Sequence, residues 1–385
     1  MTKLEQLIEE LCPNGVEYHE LGKIAEMRRG TSITKKNVCE GEIPVISGGR
    51  EPAYYCDTFN REGATITVAG SGAGAGYVQY WDRPIFVCDA FSIKGNERLS
   101  TKYLYYFLTS IQEFIYSTKK GGGVPHVHVS SIEHVQIPVP PLPVQSEIVR
   151  ILDNFTELTA ELTAELTARK KQYEFYRDKL LTFGDARGGA TSDVVWRTLA
   201  EIADISTGSS NTDDAVEGGC YPFFVRSQQP LAKDEYEYDE EAIITAGDGV
   251  GVGKVFHYIN GKYALHQRAY RIHPATDGLL GKYLYHYFVA TFPKYIGQQM
   301  YQGSVPSIRR PMLNKFQVAI PSLDVQKRIV NVLDNFDAIC SDLKIGLPAE
   351  IEARKKQYEF YRDALLTYAA TGKIILTDRQ TDRQL

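Results

Sequence analysis

Six cysteines, at positions 12, 39, 56, 88, 220 and 340, include no Cys-x-x-Cys pair. That scatter argues against a zinc ribbon, a redox motif or a disulfide framework, and a reducing cytoplasmic compartment is expected. Apolar runs of about 18 residues are missing, so no membrane span is expected. The N-terminal "MTKLEQLIEELCPNG" lacks the uninterrupted apolar core of a signal peptide and reads as a short amphipathic helix. Positive charge is not in excess either: the formal net charge is −5. Any attraction to nucleic acid must therefore come from local basic patches. An Asn-Pro-Pro-Tyr methyltransferase motif, a nuclease Asp…Glu-x-Lys arrangement and a helicase signature are all absent. His126 and His128 have ligand-like spacing without an evident third ligand, so no metal is expected.

What is there, in 385 residues, is room for two or three domains, with 25 tyrosines and 32 glycines that lean toward strands and tight turns. The chain also repeats itself. "YHELGKIAEMRRGTS" (Tyr18 to Ser32) aligns with "WRTLAEIADISTGSS" (Trp196 to Ser210), and "ITVAGSGAGAGYV" (Ile66 to Val78) with "IITAGDGVGVGKV" (Ile243 to Val255). "KYLYYFL" at Lys102 returns as "KYLYHYF" at Lys282, and "RKKQYEFYRDKLLTF" at Arg169 as "RKKQYEFYRDALLTY" at Arg354. The sequence is a tandem of two equivalent halves.

Each half opens with short strand-like runs punctuated by Gly, Asn and Asp, and closes them with a helical "KYLYYFL"-type segment. A proline-marked stretch, "IPVPPLP" or "AIPSLD", then leads into a long helix. The first helix, about Val144 to Phe183, contains the word Glu-Leu-Thr-Ala three times, from Glu157, Glu161 and Glu165, and has one apolar stripe. A rod of roughly 60 Å with one such stripe needs a partner. The second helix, near Val325 to Ala369, offers one and is expected to kink or break at Gly346 to Pro348. Antiparallel pairing of the two is one arrangement; side-by-side packing in a compact core is the other.

A proline-marked "IPxP…Q..IV..LD.F" passing into "RKKQYEFYRD.LL", written twice after two dissimilar globular regions, resembles the specificity subunits of type I restriction-modification enzymes. The resemblance covers essentially the whole chain. It implies an α+β fold of two tandem pseudo-symmetric halves, each a mostly-β target-recognition domain followed by a long α-helix, the two helices pairing as an antiparallel coiled coil. The implied division is an N-terminal helix at 1–15, target-recognition domains at 16–141 and 194–321, spacer helices at 142–183 and 322–370, a linker at 184–193 and a tail at 371–385. It further implies a non-catalytic subunit that reads a bipartite sequence of double-stranded DNA. Partners would be two methyltransferase subunits and restriction-translocase subunits, with S-adenosylmethionine, ATP and Mg on those partners and none held by this chain.

Residues common to both halves must serve folding or docking to two copies of one partner, whereas those that differ suit two half-sites. "RKKQYEFYRD" offers partner-binding candidates, Tyr173, Phe175, Tyr176 and Arg177 with Tyr358, Phe360, Tyr361 and Arg362, of the types enriched at hot spots. Thickening of the coiled-coil end is the competing role. DNA-binding candidates are basic, amide or hydroxyl residues in unshared loops: Arg28, Arg29, Lys35, Lys36, Arg50, Lys119, Lys120, His126 and His128 in the first half. In the second they are Ser209, Asn211, Arg226, Gln228, Gln229, Lys254, Arg268, Arg309 and Arg310. A solvated surface role competes for each. "GSGAGAG" and "GDGVGVG" resemble cofactor loops but lead into strands, so a glycine-rich strand bend is expected. The acidic "DEYEYDEE", Asp234 to Glu241, reads as a strand with one solvated face. The alternative function is a stand-alone S-adenosylmethionine- or nucleotide-using transferase with the glycine loops as sites.

Overall fold

The computed structural model describes residues 2–34, 39–121, 123–183, 194–299 and 306–371. The chain divides into two compact units, Met1–Thr163 with Ile351–Leu385, and Ala164–Glu350. Each unit thus combines the globular region of one repeat with a helical segment from the other.

The first unit is built on a four-stranded antiparallel sheet in the order Glu26–Arg29, Ala90–Lys94, Thr65–Ala69, Val78–Trp81. Thr65–Ala69 is buried at every position, and its Ile66 and Val68 join Phe91, Ile93, Leu104 and Leu108 in one core. A smaller sheet orders Tyr54–Cys56, Ile43–Ile46 and Phe86–Val87, the last two parallel. The N-terminal helix Lys3–Leu11 starts at a capping box between Thr2 and Glu5, and buries Leu4 and Ile8.

In the second unit the same strand path makes one six-stranded sheet, ordered Ala203–Thr207, Ala269–Pro274, Tyr238–Ala246, Phe256–Leu265, Tyr221–Phe224, Leu231–Lys233. The difference has a local cause. In the first repeat Pro84, which has no N–H to give a ladder, separates Val78–Trp81 from Phe86–Val87. The second repeat has no proline there, and Phe256–Leu265 runs on through Gly261, whose φ of +136° a side chain would resist.

The helix Leu142–Leu181 is 40 residues long, with Pro143 in its first turn. Residues 142–163 belong to the first unit and 164–181 to the second. In the second repeat the helix Leu323–Ser341 ends and another, Leu347–Thr371, begins. Asp342 Oδ1 accepts from the N–H groups of Lys344 and Ile345 at 2.6 and 3.2 Å. A Cβ on Gly346 would stand 2.5 Å from Ala338 O, so glycine is needed for the chain to turn there. The Gly-Leu-Pro sequence is therefore a break and restart, not a kink.

Candidate nucleic-acid interface

Residues shared by the repeats build the same clamps in both units. Gln145, fully buried, accepts from Ser100 N–H at 2.8 Å and donates to Arg98 O and Pro140 O at 2.8 and 2.7 Å. Gln326 repeats this with Leu280 N–H at 2.9 Å, Gly278 O at 2.9 Å and Pro321 O at 2.8 Å. The aspartate of "LDNF" ties the long helix to the helix of the globular region. Asp153 accepts from Lys102 Nζ at 2.8 Å and Tyr106 OH at 2.5 Å. Asp334 faces His286 Nε2 at 2.7 Å and Lys282 Nζ at 3.5 Å. Burial lowers the pKa of His286, against the opposing pull of Asp334.

With the frame fixed in this way, most of the unshared candidates among the described residues gather at one end of each sheet. In the first unit Glu26–Arg29, Ile43–Ile46 and Thr65–Ala69 all finish there, and Val78–Trp81 and Ala90–Lys94 both start there. The segment from Lys119 to His128 is stitched to the same end: Gly72 N–H donates to Pro125 O at 3.0 Å and Val127 N–H to Gly70 O at 3.0 Å. A cleft of 300 Å³ results, lined in part by Arg29, Asp89, His126 and His128. Arg29 Nη2 is 3.4 Å from His128 Nδ1, and the rings of His126 and His128 lie parallel with centroids 6.1 Å apart. Lys120 exchanges two backbone hydrogen bonds with His126, while Lys119 lies 4.1 Å over Tyr116 and Arg50 5.0 Å over Tyr77. Arg28 stands apart, paired with Glu26 in a separate groove with Arg61, Ser92 and Lys94. Lys35 and Lys36 lie outside the described residues.

The second unit gathers its candidates at the matching end. Arg226 Nη1 donates to Asp248 Oδ1 at 2.6 Å, and Arg268 Nη1 approaches Asp248 Oδ2 at 3.4 Å. Gln228 Nε2 donates to Lys254 O at 2.5 Å, and Gln229 O accepts from Ser227 Oγ at 2.5 Å. Ser209 N–H donates to Glu237 Oε2 at 3.0 Å; Asn211 accepts from Gln267 and opens a short turn with its N–H on Asp214. Ile308 N–H donates to Gly247 O at 2.7 Å, which holds the exposed Arg309 and Arg310 close behind, Arg310 opening the helix Arg310–Asn314. Sequence reasoning missed Asp89 and Asp248. The signal lay in the alignment of the two halves, which sets Asp89 against Arg268 and Ser71 against Asp248.

Two motifs differ from expectation. The glycine runs are turns joining antiparallel strands, with left-handed Gly72 and Gly76 in one and Gly249 and Gly253 in the other, rather than bends within a strand. Of the acidic run only Tyr238–Glu241 lies in a strand. Within it Asp239 is exposed, as a solvated face requires, while Glu240 on the face of Tyr238 accepts from Arg271 Nη2 at 2.7 Å and Tyr263 OH at 2.9 Å. Arg271, almost fully buried, also donates to Asp204 at 2.7 Å. Pairing with Arg271 holds both carboxyls below their usual range.

The partner-binding candidates sort into two sets. Tyr173 and Tyr176 pack on Phe336, with ring centroids at 6.3 and 5.8 Å, and Tyr361 stacks on Phe155 at 5.3 Å. Tyr358 meets Tyr106 at 6.5 Å. Burial pushes the phenols of Tyr173 and Tyr358 up to about 12. Phe175 and Phe360 face outward, 61% and 48% exposed. Arg177 and Arg362 each lie 5.8 Å over the tyrosine four residues back and pair with the next aspartate, Asp178 or Asp363. Tyr173 and Tyr358 therefore pack within the chain, whereas Phe175 and Phe360, and to a lesser degree Tyr176 and Tyr361 at 38% and 40%, leave aromatic surface exposed.

Two units of one topology, with shared clamps and divergent loops, define a duplicated recognition scaffold. The sequence profile of the type I restriction modification DNA specificity domain matches residues 13–169 and 191–353. The chain belongs to the type I restriction-modification specificity subunits, with two tandem target-recognition domains. It is 34% identical to the Type I restriction enzyme EcoR124I/EcoR124II specificity subunit of Escherichia coli, over 96% of this chain and 97% of the relative. It is 29% identical to a putative type I restriction enzyme specificity subunit of Haemophilus influenzae, over 96% and 99%. The crystal structure of a type I restriction-modification system S subunit from M. genitalium shares the fold at a TM-score of 0.61 and 19% identity, covering 93% of this chain and 97% of that one. These relatives support DNA recognition and not the stand-alone transferase. Among the described residues no helix is long and apolar enough to cross a membrane.

Proposed function

We propose that each domain reads one half of a bipartite DNA target through the loop end of its sheet, and that the chain itself performs no chemistry. The observation that carries this is the division of labour between shared and unshared residues. Gln145 and Gln326, or Asp153 and Asp334, do the same thing in both units, while cationic, imidazole and amide side chains meet at equivalent ends with different chemistry. Lysines there suit phosphates, and arginines and amides suit base edges. The helices pair as an antiparallel coiled coil. In support, the second repeat's Tyr361 stacks on Phe155 of the long helix, and the long helix's Tyr176 stacks on Phe336 of the second repeat. Phe175 and Phe360, with Arg177 and Arg362, dock two methyltransferase subunits in the cytoplasm. Those subunits bring S-adenosylmethionine, and restriction-translocase subunits bring ATP and Mg.

The test is sequencing of methylated adenines in cells that express the chain with its methyltransferase. A double substitution Arg29→Ala with His128→Ala is expected to relax one half-site of the methylated motif and leave the other intact. Relaxation of both halves together, or of neither, would contradict one reader per half-site.

A further inference from the structure

The two loop ends differ in charge at one equivalent spot. By strand register, Ser71 and Asp89 of the first domain stand where Asp248 and Arg268 stand in the second. Gly70 N–H donates to Asp89 O at 3.0 Å as Gly247 N–H does to Arg268 O at 2.8 Å. Ser71 bridges to His126 as Asp248 does to Ser307. Gly48 likewise matches Arg226, since their carbonyls crowd the equivalent glycines Gly74 and Gly251. The first domain thus presents a carboxylate, Asp89, that accepts from the Ser71 hydroxyl. The second presents two guanidiniums gripped by one carboxylate. Arginine cannot be moved across: a Cβ on Gly48 would stand 2.2 Å from Ser71 O.

We propose that the Arg226–Asp248–Arg268 cluster reads a guanine in the major groove of the half-site bound by the second domain, with Asp248 as a positioning residue. This rests on the DNA-recognition reading above and adds the base and the residues. A guanidinium fork matches the O6 and N7 acceptors of guanine. Asp248 engages Nη1 of each arginine and leaves the remaining N–H donors to point elsewhere. The side chain of Arg268 is 59% exposed and that of Asp248 26%, so the donors reach solvent with the carboxylate set behind them. A carboxylate at this place weakens a bare phosphate grip, because it cancels one of two positive charges. It strengthens base reading, because an arginine already held in place loses less freedom on binding. The first domain, with Asp89 in place of Arg268, lacks this reader.

The experiment uses the full chain assembled with its methyltransferase subunits. Methylated motifs are mapped for the native chain and for Arg226→Ala, Arg268→Ala and Asp248→Asn, and duplex binding is then measured with 7-deazaguanine replacing each guanine of the mapped target. In the expected result, one G·C position of the second half-site becomes degenerate in the Arg268→Ala variant and partly so in Asp248→Asn. The first half-site keeps its sequence and serves as the control for folding and assembly. 7-Deazaguanine at that position weakens native binding by roughly 5- to 150-fold and leaves the Arg268→Ala variant nearly unaffected. A uniform loss over all positions with an unchanged motif overturns the proposal in favour of a phosphate clamp, as does a native second half-site without a G·C pair. Failure of the underlying reading looks different: the native chain would then yield no bipartite methylated motif at all.

Discussion

At the scale of single residues, duplication separates packing from recognition. A buried glutamine that meets a backbone N–H and two carbonyls has no freedom to vary, and the chain places one at both Gln145 and Gln326. Replacing either by alanine leaves one N–H and two carbonyls without partners inside the protein, at about 1–3 kcal/mol for each group left unsatisfied. Gln326→Ala is therefore expected to lower stability by at least about 3 kcal/mol, measured as a fall in the urea midpoint, without altering the methylated motif of molecules that remain folded. A changed motif would place Gln326 in recognition. The role of these glutamines was not legible in the sequence, although the letter Q stood in both halves of the repeated motif. Their partners, Ser100 with Arg98 and Leu280 with Gly278, lie some 46 residues upstream and are joined to them only by folding.

At the scale of elements, the N-terminal helix is bound to the long helix by one buried carboxylate. Glu147, 4% exposed, pairs with Arg150 at 2.7 Å and Lys3 at 3.0 Å. Those hydrogen bonds hold its pKa down, from 4.5 to about 2. A carboxyl lowered on folding stabilises above its unfolded pKa and loses that contribution as pH falls through the folded value. Stability should therefore drop between pH 4.5 and about 2, and Glu147→Gln should flatten that limb of a plot of urea midpoint against pH. A slope unchanged by the substitution would assign the acid lability elsewhere. The second repeat has Arg328 at this position, so the device belongs to one arm only. Elements of this kind were legible to different degrees. The helix break at Gly346 could be foreseen because glycine and proline act locally, and the strand split at Pro84 has a cause of the same kind. The convergence of Arg29 with His128, or of Arg226 with Arg268, could not be foreseen, because strand order decides it.

At the scale of the whole molecule, the three Glu-Leu-Thr-Ala words occupy the stretch where the chain first passes from one unit to the other, the return lying between Glu350 and Ile351. The boundary between Thr163 and Ala164 falls inside them. Their leucines contribute little burial: Leu158 is 44% exposed and Leu162 and Leu166 are half-buried. The apolar stripe that the sequence suggests is thus thin here, and the segment can change length without opening a core. The packed ends lie outside it, at Leu152 and Phe155 on one side and Tyr173 and Tyr176 on the other. One added tetrad in a continuous helix advances the far end by roughly 6 Å and turns it by about 40°. One base pair turns B-DNA by about 35°. Inserting or deleting one Glu-Leu-Thr-Ala unit is therefore expected to change the gap between the two half-sites by about one base pair while both half-site sequences stay as they were. Methylated-adenine sequencing of the two variants measures this directly. An unchanged gap would mean that the helix does not set the spacing. A lost motif with a folded chain would mean that both readers engage DNA only at the native length.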